Sequence, residues 1–265
     1  MRVATIGSDA VLARRRDVLR VMPGIEYAGE TGPALTERLE NIDVLFIGTP
    51  RADRFRIGDE ALRSGVHVFI EWPAVTSIIE CAALVRLAEE AGLECGVSRP
   101  LRYNRMFESL GEEPRARLIS LTMREERGWV AEFAAGGPSR LTHAMADAVD
   151  LSCALAGTSS VRRVDAERVR DDFTTSEATA FSLRFHSGAY AQVLIRSDGS
   201  AAPPSIYATG DGVRVNGDID EEGEGVRLET VAFLRAVMEE RPVPVSALDA
   251  LHTMRIVERL LAVLR

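Results

Sequence analysis

Hydrophobic residues follow two rhythms along this chain, and the rhythm changes near Arg99-Pro100. Before that point, short unbroken apolar runs alternate with longer helix-like stretches. Val3 to Ile6 reads as a buried strand, and a helix follows over roughly Ala10 to Met22, where Pro23-Gly24 stops it. Ile25 to Gly29, Val44 to Gly48, Val66 to Ile70 and Leu93 to Val97 read as four further strands. Ala61-Leu62 falls in a helix between them. Another helix begins near Thr76. Ser77 and Glu80 have the spacing of a capping box, in which Ser bonds forward and Glu back to the open amides, and Gly92 is placed to end it. Unbroken apolar strands separated by helices predict a parallel sheet covered on both faces.

After Pro100 the apolar positions alternate. Ile119, Leu121 and Met123 are separated by polar neighbours, as are Phe181, Leu183 and Phe185. His186-Ser187-Gly188 reads as a hairpin turn before a second alternating run, Ala189 to Ile195, and Asp211-Gly212 as a further turn. Such strands bury one face and leave the other open. Two helices close the chain, and the last aligns Leu251, Met254, Val257, Leu261 and Leu264. Ser246 and Asp249 resemble its capping box. The acidic, Gly-rich segment Asp218 to Gly225 reads as a loop.

Charge and composition narrow the chemistry. The net charge of -8 lacks the basic footprint that a nucleic-acid partner needs. All 32 basic residues are arginine, so no side-chain amine is present for proton transfer or Schiff-base chemistry. The odd count of three cysteines, without a CxxC pair, predicts reduced thiols in a cytoplasmic protein and no zinc site. The strand-like start at Arg2 shows no signal-peptide pattern, and no apolar stretch approaches the ~20 residues of a membrane span, so no membrane partner is expected.

Several segments in order resemble the Gfo/Idh/MocA oxidoreductase family: Thr49-Pro50; Ala61-Leu62-x-x-Gly65-Val66-His67-Val68-Phe69-Ile70-Glu71-Trp72-Pro73; Arg102-Tyr103; Asp147-x-x-Asp150 leading to Gly157; Phe185-x-x-Gly188; and Val245-Ser246-x-x-Asp249-Ala250-Leu251. The resemblance implies an α/β protein. Residues 1–99 would form a Rossmann domain and residues 100–265 an α+β domain with an open antiparallel sheet. It also implies NAD or NADP as cofactor, a sugar or cyclitol-like substrate, and a sheet-mediated homo-oligomer or a hetero-oligomer with a related subunit.

The residues that the resemblance marks for chemistry are altered. The family's GxGxxG falls on Gly7, Asp9 and Leu12, and a carboxylate at that helix start acts as an N-cap and repels phosphate. Arg14, Arg15 and Arg16 follow, either as a solvated face or as a substitute phosphate contact. Glu30 stands where the family places an acid for ribose, and Thr49, Pro50, Glu71 and Pro73 at further cofactor positions. The family's EKP reads Glu71-Trp72-Pro73, so tryptophan replaces the lysine. It offers packing or a stacking platform for a sugar ring but no ammonium. The family's cis proline bond is implied at Pro73.

In the catalytic helix His143 takes the first acid position, Met145 the glycine, Asp147 the histidine and Asp150 the last acid. His143, Asp147 and Asp150 share one helix face by their i, i+4, i+7 spacing. They read as a hydrogen-bonded cluster with His143 as donor to the acids, as a displaced base, or as metal ligands. His67, His186 and His252 read as structural. Two functions follow: a divergent ligand- or partner-binding subunit without hydride transfer, or an active NAD(P)-dependent enzyme using His143 or Asp147.

Overall fold

The computed structural model describes residues 1–8, 10–31, 39–107, 110, 114–124, 140–170, 177–196, 202–211, 213–219 and 224–264. The chain divides into two compact units. One comprises Met1–Pro100 with Glu224–Leu251, the other Leu101–Gly223 with His252–Arg265. The first unit is therefore discontinuous in sequence, because a late segment packs back onto it.

In the first unit, β1 (Arg2–Ile6), β2 (Glu26–Glu30), β3 (Val44–Ile47), β4 (His67–Ile70) and β5 (Cys95–Val97) form a parallel sheet in the order β2-β1-β3-β4-β5. The central strand β3 is buried along its whole length, as its unbroken VLFI run requires. The edge strand β2 instead alternates exposed and half-buried residues. Helices α1 (Ala10–Val21), α2 (Arg51–Arg63) and α3 (Ile78–Ala91) connect the strands.

Helix α3 begins with the capping box expected of Ser77 and Glu80, and Gly92 ends it in the left-handed conformation at φ 65°. The late helix α5 (Gly225–Met238) packs on α1. Its Phe233 completes a ring trio with Phe46 and Phe69, at centroid separations of 5.0 to 5.8 Å. A side chain at Gly96 would run into Phe233 and Phe69, which fixes glycine there.

In the second unit, β6 (Arg115–Arg124), β7 (Val161–Arg170), β8 (Glu177–Phe185), β9 (Tyr190–Arg196), β10 (Ser205–Asp211) and β11 (Val213–Asp218) form one sheet in the order β11-β10-β6-β9-β8-β7. The hairpins are antiparallel, but β6 and β9 pair in parallel. The sheet is therefore mixed rather than antiparallel throughout. Its two halves join at β6, which meets β10 on one side and β9 on the other.

Ile119, Leu121, Met123, Phe181, Leu183 and Phe185 are buried on one face of this sheet, as their alternation predicts, and helix α4 (Arg140–Ala156) packs on it. Gly157 follows α4 at φ 64° with its α-carbon against the Pro114 carbonyl, where a β-carbon would clash. The opposite face exposes Leu118, Leu194 and Tyr207.

The last helix, α6 (Ala247–Val263), begins with the predicted Ser246–Asp249 reciprocal bonds. Its buried residues are Ala247, Ala250, Leu251, Thr253, Ile256, Val257 and Leu260, whereas Met254, Leu261 and Leu264 are only half-buried. The buried stripe is turned from the one read in the sequence, because a Leu-rich helix offers more than one apolar face. Among the described residues no helix is long and apolar enough to cross a membrane. The turn expected at Asp211-Gly212 includes Gly212, and the acidic segment includes residues 220–223; these positions lie outside the described residues.

Candidate functional site

In the first unit, the carboxyl ends of the parallel strands gather most of the residues singled out in the sequence. Gly7 ends β1 at φ 112°, and a β-carbon there would lie 2.2 Å from the Gly48 carbonyl oxygen. Its freedom is used by the close approach of the β1 and β3 ends. Asp9 lies outside the described residues. Leu12, at the family's third glycine, is fully buried against the sheet.

The three consecutive arginines go three ways. Arg14 is exposed. Arg16 donates to Thr5 Oγ1 at 3.2 Å and to the Gly7 carbonyl, and it pairs with Glu30 at 3.1 Å. The acid expected at ribose hydroxyls is thus joined to the chain's own guanidinium.

Arg15 corrects the reading of the arginine run as a solvated face, because it is 0% exposed. Leu12, Arg15 and Leu19 share one side of α1, which is the signal in the sequence that places it inward. Its Nε donates to Glu71, and its Nη2 to Glu71 at 3.1 Å, Ser98 at 2.7 Å and Glu229 at 2.8 Å. Its Nη1 donates to Thr230 Oγ1 at 2.8 Å and to the Val226 carbonyl at 3.3 Å. The guanidinium also stacks on Phe69, 4.4 Å from the ring centroid.

Burial alone would lower the Arg15 pKa. The charges of Glu71 and Glu229 outweigh it and hold the pKa above its ordinary value. Glu229 is pushed above the ordinary carboxylate range by burial, with Arg15 and the Arg99 backbone N–H opposing. One cation thereby ties α1, the β4 end, the β5 end and α5 together.

The turn after β4 is held from a second side. Arg54, buried in α2, donates to the Thr49 carbonyl at 2.7 Å, the Glu71 carbonyl at 2.7 Å and the Pro73 carbonyl at 2.8 Å. The Trp72-Pro73 bond is cis, as the family resemblance implied. Trp72 is half-buried, and the Arg99 guanidinium lies 3.4 Å from its ring centroid. The Arg99 backbone N–H donates to Glu229. Pro50 precedes α2 without a side-chain cap, and the buried Thr49 Oγ1 meets no partner among the described residues.

His67 Nδ1 accepts from the Glu94 amide at 2.9 Å, the structural role read for it. Burial lowers its pKa, against the charges of Glu94 and Asp43. In the second unit, His252 Nδ1 meets Ser159 Oγ at 3.0 Å, and His186 is an exposed hairpin residue.

Also in the second unit, α4 carries His143, Asp147 and Asp150. Asp150 is 1% exposed, while His143 and Asp147 are half-buried. Arg102 grips Asp150, its Nε and Nη2 each donating to one carboxylate oxygen at 2.7 Å. Arg102 appeared in the sequence only as part of Arg102-Tyr103, with nothing local to indicate a partner 48 residues away. Among the described residues no group of three or more His, Cys, Asp or Glu is arranged to hold a metal ion.

Residues 13–99 match the family described as oxidoreductase family, NAD-binding Rossmann fold. This region belongs to the Gfo/Idh/MocA family. The chain is 31% identical over 84 residues to glycosyl hydrolase family 109 protein 3 of Phocaeicola vulgatus, a stretch that covers 32% of this chain and only 15% of that relative. The fold extends the likeness to the full length. UDP-N-acetylglucosamine 3-dehydrogenase GnnA from Acidithiobacillus ferrooxidans superposes with TM-score 0.82 at 16% identity, over 100% of this chain and 97% of that one. The WlbA dehydrogenase from Bordetella pertussis, in complex with NADH and UDP-GlcNAcA, superposes with TM-score 0.72 at 16% identity, over 99% and 96%. At such identities the Gfo/Idh/MocA likeness outside residues 13–99 is one of fold.

Proposed function

We propose that this chain is a divergent Gfo/Idh/MocA protein that has lost the standard hydride transfer and serves as a ligand- or partner-binding subunit. The observation that carries this is the Glu71-Trp72-Pro73 turn. The cations on it are the guanidiniums of Arg15, Arg54 and Arg99, and its lysine position holds Trp72. A guanidinium stays protonated at working pH and an indole does not exchange protons as an acid, so the turn supplies charge without a proton.

The first β–α turn does not fit a dinucleotide either. Gly7 serves strand packing, Leu12 fills the core, and Glu30 is engaged by Arg16. No step of hydride chemistry is therefore assigned to this chain. The ligand supported by the fold likeness is a sugar-like small molecule, and the partner is a second copy or a related subunit docked on the open sheet face.

The test is calorimetric titration with NAD and NADP, together with NADH and NADPH oxidation over a panel of sugars and nucleotide sugars. Weak or absent binding and no turnover are expected. Asp9→Gly combined with Arg16→Ala should raise NAD affinity by about tenfold, the gain from removing a repulsive carboxylate and freeing Glu30. Tight binding of either cofactor to the parent, or turnover abolished by His143→Ala or Asp147→Asn, would favour an active NAD(P)-dependent oxidoreductase instead.

A further inference from the structure

The open face of the second sheet is not flat. A hollow of about 560 Å³ lies across β6, β9, β8 and β7, all within the second unit. That volume falls within the range of small-molecule sites, about 300–1,000 Å³.

Strand register fixes what lines it. Ser120, Gln192, Ser182 and Asp165 form one cross-strand row. Neighbouring strands stand about 4.8 Å apart, so two hydroxyls of a single six-membered ring can meet two successive groups of the row. The serine hydroxyls and the amide can both donate and accept, as the hydroxyls of a sugar do. Gln192 Nε2 lies 3.5 Å from Ser120 Oγ, which turns the amide along the row. The next row runs Thr122, Leu194, Ala180 and Glu167, and its two apolar members offer contact to ring C–H groups.

Charge is divided across the hollow. Arg163 and Arg184 stand on one side of the serine row, where Arg163 holds Asp165 at 2.7 Å and Arg184 lies 5.2 Å from the Tyr190 ring centroid. Glu167 stands on the other side.

We propose that this hollow binds a polyhydroxylated amine, an amino sugar, with hydroxyls on the Ser120–Gln192–Ser182 row and the ammonium at Glu167. A plain polyamine would meet the acid but would displace water from the row without replacing its hydrogen bonds. A neutral sugar would meet the row and make no use of the acid. The proposal concerns the second unit and does not depend on the reading of the Glu71-Trp72-Pro73 turn. A second copy docked on this face would cover the hollow, so ligand and copy exclude one another.

Glucosamine, glucose and putrescine are titrated separately by calorimetry at constant ionic strength and at a pH that keeps the amines protonated. Glucosamine should bind saturably, and glucose about fivefold more weakly, the upper end of what an exposed ion pair contributes. Putrescine should also bind more weakly than glucosamine. Glu167→Gln should bring glucosamine to the level of glucose, and Gln192→Leu should weaken both sugars. Both side chains are exposed, so the melting temperatures of the variants should hold. By light scattering, saturating glucosamine should lower the mass of the assembled protein toward that of a monomer.

Equal binding of glucose and glucosamine, tighter binding of putrescine, or a glucosamine affinity untouched by Glu167→Gln or by Gln192→Leu overturns the proposal. So does an assembled protein that keeps its mass with glucosamine bound. Turnover with NADH would overturn the proposed function and leave these results standing, so the two failures are told apart.

Discussion

Arg102 grips Asp150 through two hydrogen bonds of 2.7 Å, so the buried acid on α4 is satisfied from outside its own helix. Removing one partner of such a pair leaves an uncompensated buried charge, at a cost of about 3–5 kcal/mol. Arg102→Ala should therefore lower unfolding free energy by about 3 kcal/mol in a urea titration. His143→Ala should cost less than half of that. The opposite ranking would restore His143 as the main support of the acid.

Arg15 makes the same argument in the first unit, with two acids depending on it. Arg15→Ala should destabilise that unit by about 3–5 kcal/mol, because Glu71 and Glu229 both lose their cation. Exposed pairs such as Arg63 with Asp59 provide the contrast. Arg63→Ala should leave stability nearly unchanged, because the pair is solvated. Comparable losses for both would show that the Arg15 cluster is solvated.

His67 gives a pH dependence. Its folded pKa is lowered by burial, and its Nδ1 must be unprotonated to accept from the Glu94 amide. A depressed folded value means that the unfolded chain binds the proton first. The His67 contribution is therefore full above the ordinary histidine pKa of about 6.5 and is lost as pH falls through the folded value. Melting temperature should fall on acidification below about pH 6.5, and His67→Gln should flatten that part of the profile. An identical profile in both proteins would remove His67 as the source.

The open face of the second sheet predicts assembly. Strand register sets Arg214, Leu118, Tyr190, Arg184 and Arg163 in one cross-strand row, and Asp218, Thr122, Leu194, Ala180 and Glu167 in another. Between them runs a polar row containing Tyr207, Ser120, Gln192 and Ser182. A second copy related by a two-fold axis along that middle row would set the basic row against the acidic one. Light scattering at micromolar concentration should give at least a dimer. Leu194→Arg, which places a cation opposite the basic row, should dissociate it more than Leu194→Asp. A monomeric parent defeats the assembly, and equal effects of the two substitutions defeat this register.

By itself the sequence determined the local architecture of this protein. Unbroken apolar runs such as VLFI specify strands buried on both faces, alternation around Ile119 and Phe181 specifies one-sided strands, and Ser77 with Glu80 specifies a helix start. These depend on neighbours within a few residues, so a linear reading finds them. It also placed Trp72 beside a cis proline through family resemblance.

Tertiary structure alone decided which charges meet. Arg15 finds Glu71 and Glu229 at separations of 56 and 214 residues, Arg99 comes to lie over Trp72, and Arg102 reaches Asp150 across 48 residues. The parallel pairing of β6 with β9 was likewise invisible in the alternation, which records only the face a residue occupies. An arginine is the same residue whether solvated or buried. Its place is fixed by acids that the fold brings to it, because a buried guanidinium is tolerable only where its donors are satisfied.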